Sequence, residues 1–182
     1  MPGLPVEAEA AFLGAIEEHK QSDPLIGAKI GGKEIFNRLL SAMKGDKGVH
    51  VESLFCALGA LAGYACQANL REQAIAQGLD PDISFNIAKT ADGKKYYFGD
   101  LLNNALAEGK LSVWSLAAGA AQHHGATSFP DINEIFRRTA SSIGSEEFGI
   151  PSAITGHAAS ELPVVYLRNV WPVMLPVVNP EP

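Results

Sequence analysis

Between residues 53 and 70 the chain carries no formal charge, and Ala and Gly supply much of the stretch in place of Leu and Ile. That run limits what the chain can fold into, because an uncharged helix must be covered by a core, a partner or a bilayer. Leu54, Leu58, Leu61 and Ala65 recur at spacings of four, three and four, which predicts a helix over 51–77 that Gly78 and Pro81 stop. A membrane span needs roughly 20 apolar residues, and here Ser53, Gln67 and Asn69 dilute the run while Glu52 and Arg71 bracket it. The expectation is a buried core helix and no membrane.

Gly59 and Gly63 stand in the middle of this helix among Ala57, Ala60, Ala62 and Ala65. An interior glycine costs a helix about 1 kcal/mol against alanine, so two of them four apart imply another backbone lying close by. The matching surface is a helix over 111–124 that carries Ser115, Ala117, Ala118, Gly119, Ala120 and Ala121. These two smooth helices are expected to be partners, within one subunit or across a dimer.

The remaining periodicity predicts helices over 5–19, 33–44, 101–108 and 131–142. Leu13 and Ile16 join Phe12 as the apolar strip of the first; Ile35, Phe36, Leu39, Leu40 and Met43 line the second. Asp100 is the expected cap of the 101–108 helix, and Ile132, Ile135, Phe136 and Ala140 the inward face of the last. Alternation over 84–89, a turn at Ala91 to Gly93 and the return Lys95, Tyr96, Tyr97, Phe98 predict one hairpin. An isolated hairpin is marginal, so Phe85, Ile87 and an aromatic from the second strand must pack on helices. The fold class is therefore mainly α: a single orthogonal or irregular bundle of about six helices with a small β-hairpin over 84–98.

The helical domain is expected over 1–160 and an extended apolar arm over 161–182. Pro163, Pro172 and Pro176 bar a long helix or a central strand there. An arm of this composition must dock on its own core or on a neighbour. Charged residues make up only 19% of the chain, against a usual share of roughly 25%, which favours docking on a second copy. With 14 Lys and Arg against 20 Asp and Glu, the net charge of −6 gives no basic field for a phosphate backbone, so nucleic acid is not an expected partner. Cys56 and Cys66 lie about 15 Å apart along one helix, too far for a bridge. Free thiols, and a start without a basic, apolar leader, point to the cytoplasm.

Several residues bear on chemistry. The Gly27 to Lys33 segment matches Gly-x4-Gly-Lys, but Glu34 stands where a phosphate-binding loop needs Ser or Thr, and the segment reads as a flexible glycine-rich lead into the 33–44 helix. A weaker variant has a small anion on the first amides of that helix. His123 and His124 point about 100° apart on a helix and cannot ligate one ion together; the dipole at a helix C-terminus accounts for both. The enzyme alternative is a metal- or histidine-dependent hydrolase that uses His123 or His124 with His157 and a carboxylate such as Asp131 or Glu134. No nucleophile elbow surrounds any serine, and both cysteines read as small hydrophobes. Tyr96, Tyr97 and Phe98 either line a ligand pocket or anchor the hairpin. No metal site or cofactor is expected, and the reading that follows is a soluble, non-enzymatic interaction protein that self-associates.

Overall fold

A computed structural model describes residues 6–91, 93–145, 148 and 164. These are mainly helical with a small hairpin, as the sequence pattern predicts. They group into two compact units, one reaching Leu58 and one beginning at Gly59.

In the first unit α1 (Val6–Lys20) packs on α2 (Ile26–Ala42). Ile16 is the buried centre, with Leu13, Ile26, Ile30 and Ile35 against it. The link is short and closed by hydrogen bonds: the Asp23 N–H donates to the His19 carbonyl at 2.9 Å and the Leu25 N–H to Asp23 Oδ1 at 3.2 Å. Lys29 Nζ then reaches Asp23 Oδ2 at 2.6 Å.

α2 starts seven residues before the expected position, which is a correction with a physical cause. The glycine-rich lead is itself helix, Gly27 and Gly31 are buried on it, and the Lys29 N–H already donates to the Leu25 carbonyl. Each glycine costs about 1 kcal/mol of helix propensity, and packing of Ile26 and Ile30 on Ile16 offsets that locally. No phosphate-cradling loop exists between Gly27 and Lys33, and the first amides of α2 are not those of Lys33 and Glu34. After α2, β1 (Lys44–Gly45) and β2 (Gly48–Val49) form a miniature antiparallel pair, so the expected 33–44 helix ends before Lys44.

Helix α3 (Val51–Ala76) opens with an unusual cap: the Ser53 N–H donates to His50 Nδ1 at 3.3 Å. Its buried stripe is Leu54, Ala57 and Leu61, at spacings of three and four. The expected full burial is not found. Phe55 is 67% exposed, and only 22% of the most apolar window of α3 is buried. Nor is the expected close neighbour present: a Cβ built on Gly59, Gly63 or Gly119 meets nothing within 4 Å among the described residues. The chain closes α3 with a Schellman pattern, Leu79 N–H to Ala74 O and Gly78 N–H to Ile75 O, both at 2.9 Å, with Gly78 at φ +71°.

The second unit holds the hairpin, β3 (Asn86–Lys89) against β4 (Lys95–Phe98), registered from Asn86 opposite Phe98 to Lys89 opposite Lys95. Arg71 of α3 fastens it. Its guanidinium lies 4.9 Å from the Phe85 ring centre and 4.6 Å from that of Tyr97, and its Nε reaches Asp82 Oδ1 at 2.9 Å. Phe85 is buried as expected, whereas Ile87 is 40% exposed. The short helix α4 (Asp100–Asn103), with Gly99 at its N-cap and Asp100 inside its first turn and not at the cap, runs into a π-helical turn, Asn104–Glu108. Then come α5 (Val113–His123) and α6 (Ile132–Ser142). On α6 the expected inward face is only half realised: Ile132 and Phe136 are half-buried, but Ile135 and Ala140 are exposed. The 161–182 arm lies outside the described residues save Val164, which is 55% exposed.

Candidate functional site

Two polar helix caps set the geometry of a cleft in the second unit. Ser112, fully buried, caps α5: its Oγ accepts from the Ser115 N–H at 3.1 Å and donates to the Ala107 carbonyl at 3.1 Å, tying α5 to the π-helical turn before it. Asp131 caps α6, its Oδ1 accepting from the Asn133 N–H at 2.9 Å. At the other end of α5, Ala126 N–H to Ala121 O and Gly125 N–H to Gln122 O, both 3.0 Å, make another Schellman pattern with Gly125 at φ +96°. That reversal sends the chain back along α5 toward Phe129.

The result is an open cleft of about 550 Å³. α5 supplies Ser115, Ala118, Gly119 and Gln122, the i, i+3, i+4, i+7 set of one helix face, with Trp114 at its edge. The opposite wall is Phe129, Pro130, Asp131, Ile132 and Asn133. Trp114, Ser115, Ala118 and Ile132 are half-buried; Phe129 is 42% exposed. The cleft thus holds two aromatic rings, one carboxylate and two side-chain amides, and none of its lining residues is Lys, Arg or His.

Of the residues singled out from the sequence, Asp131 lies in this cleft and the histidines do not. Helix geometry explains why. His123 and His124 leave α5 about 100° and 200° further round than Gln122. Their exposed rings stack edge to face on each other, centroids 5.4 Å apart, beyond the cleft. His157 lies outside the described residues. Among those described, no three His, Cys, Asp or Glu side chains gather where a metal could sit. Tyr96 and Tyr97, as neighbours on a strand, project to opposite faces. Tyr97 meets Arg71 and sits edge-on to Phe85 at 5.6 Å, while Tyr96 is edge-on to Phe148 at 4.9 Å. Phe98 is 43% exposed. Cys56 and Cys66 are both free and half-buried, and burial pushes the Cys66 thiol above its ordinary value, which disfavours its thiolate.

Trp114, Gln122, Phe129 and Asn133 were not singled out by sequence reasoning. The available signal was the spacing of Ser115, Ala118, Gly119 and Gln122 followed by an aromatic, proline and capping aspartate. No family model, curated protein or solved structure matches this chain.

Proposed function

We propose that this chain is a non-enzymatic interaction protein that pairs with a second copy of itself, using the outer face of α5 as part of the contact. One observation carries the reading. α5 is built of Val, Trp, Leu, Ala and Gly with two polar residues before its terminal histidine, and none of its residues is buried. Opposite the cleft it presents Val113, Leu116, Ala117 and Ala120; Leu116 is 60% exposed, and Leu111 just before the helix is 82% exposed. A helix apolar on nearly all sides is ordinarily covered all round. The open glycines of α3 point the same way, since Gly59 and Gly63 weaken their helix and receive no neighbour in return within the described residues.

Size requires more than one helix. A helix face of 11 residues is about 16 Å long and about 10 Å wide, on the order of 160 Å², against about 800 Å² per partner in a stable complex. Further exposed side chains of the same unit, such as Leu101 and Leu111, therefore belong to the contact, and the 161–182 arm is read as docking on the second copy as well. α3 is long and apolar enough to cross a bilayer by length and composition; with Ser53, Gln67 and Asn69 in it, we read it as association surface and the protein as a soluble one of the reducing cytoplasm, without nucleic acid as a partner.

Light scattering on the purified full chain at micromolar concentration, without detergent, tests this. The expected mass is twice 19.3 kDa. A monodisperse species at 19.3 kDa overturns the proposal, and a chain recovered only in detergent overturns the soluble reading.

A further inference from the structure

The second unit contains one cation already held by a recognisable set of groups. The Arg71 guanidinium lies over two aromatic rings, Phe85 and Tyr97, and is paired by one carboxylate, Asp82. The cleft between α5 and α6 offers the same three kinds of group, Trp114, Phe129 and Asp131, with no basic side chain in its lining. Aromatic faces attract cations through the ring quadrupole, and an indole does so best.

We infer that this cleft binds a small organic cation, an ammonium or guanidinium head carrying an apolar body. Asp131 supplies the countercharge. Its Oδ1 is committed to the Asn133 amide as the cap of α6, and its Oδ2 has no partner among the described residues. An anion is disfavoured at the same place, because the cap carboxylate already occupies the positive end of α6 and would repel it. Ala118, Gly119 and Ile132 give the ligand's body an apolar wall, and the Gln122 and Asn133 amides mark the rim. The cleft volume lies within the range of small-molecule sites, about 300–1,000 Å³. This face of α5 is the one turned away from Leu116, so ligand binding and self-association are separate properties.

Trp114 reports on occupancy once Trp171, the other tryptophan, is replaced by Phe. The probes are benzyltrimethylammonium and phenethylguanidinium, with benzyl alcohol and benzoate as neutral and anionic counterparts. Saturable fluorescence change is expected with both cations, at least tenfold tighter than with benzyl alcohol and absent with benzoate. Asp131→Asn keeps a capping side chain at the start of α6, so helicity by circular dichroism should hold while cation affinity falls at least tenfold. Calorimetry should show binding lost in Trp114→Leu and retained in Leu116→Gln. Equal affinity for benzyl alcohol and the cations, unchanged affinity in Asp131→Asn with helicity intact, or no saturation by either cation overturns the inference. None of these outcomes bears on the mass measured by light scattering.

Discussion

Leu116→Gln isolates the contact proposed for the outer face of α5. Leu and Gln are close in helix propensity and in reach, and Leu116 is 60% exposed within its own subunit, so the substitution leaves the monomer's packing almost untouched. Its effect should fall on association. Complete burial of a leucine side chain stabilises by about 1.5–3 kcal/mol, so burying the exposed 60% contributes roughly 1–2 kcal/mol per copy. In a two-fold contact the same patch occurs on both copies, which doubles the loss to roughly 2–4 kcal/mol. At about 1.4 kcal/mol per tenfold, the dimer dissociation constant rises by roughly 30- to 700-fold. Sedimentation velocity across a dilution series reads that change directly. The thermal midpoint at high dilution, where only monomer remains, should match that of the parent chain. A Leu116→Gln protein that dissociates at the same concentration as the parent places Leu116 outside the contact and refutes the reasoning.

Other residues give sharper tests of single links. Arg71→Leu removes two cation–π contacts of about 0.5–1 kcal/mol each and a partly exposed ion pair of about 0.5–1 kcal/mol; amide exchange over 86–98 should quicken while α1 and α2 keep their protection. Gly109→Ala should destabilise by about 1–3 kcal/mol in chemical denaturation, because an added Cβ would sit 2.5 Å from the Asn104 carbonyl oxygen that closes the π-helical turn. Hydrogen bonding from Lys29 holds the Asp23 carboxyl below its ordinary value. The contact is therefore intact above the ordinary aspartate range and is lost as pH falls through the lowered value, and Lys29→Met should move the Asp23 carbon-13 titration upward. Burial raises the Cys66 thiol, so in Cys56→Ser its alkylation should lag behind that of a free cysteine near pH 8 and approach it only as pH rises.

The ends of elements were more legible in this sequence than their partners. Gly78 before Pro81 and Gly125 after His124 both announce a left-handed residue past a helix, and both sit in Schellman patterns with positive φ. Asp131 reads as the start of a helix from its type alone and is the cap of α6. The start of α2 was not legible, because three glycines between 27 and 32 are punctuation by local propensity. What decides them is a tertiary contact, Ile26 and Ile30 on Ile16, across a link that no local window spans. Likewise Gly59 and Gly63 suggest a near neighbour by propensity alone. The inference from propensity to proximity fails within the described residues because a glycine records only that a side chain is absent, not what occupies the space. The cleft was illegible for a related reason. Its two walls are separate segments whose meeting depends on the Gly125 reversal, and neither wall carries a motif.

The two faces of α5 can now be distinguished by their chemistry. Ser115, Ala118, Gly119 and Gln122 turn toward Asp131 and two aromatic rings, a polar and curved environment suited to one small charged group. Val113, Leu116, Ala117 and Ala120 turn the other way, with no polar atom beyond the backbone and no capacity to orient a substrate. An apolar helix face without polar side chains suits burial against a partner, whereas a cleft with one carboxylate can discriminate between ligands by charge. The histidines stand at the end of α5, on or beside the apolar side, about 100° and 200° round from Gln122. General-base chemistry needs an imidazole within about 3 Å of the reacting atom. His123 and His124 are exposed beyond the cleft and Asp131 Oδ1 caps α6, so among the described residues no imidazole lines the cleft beside that carboxylate.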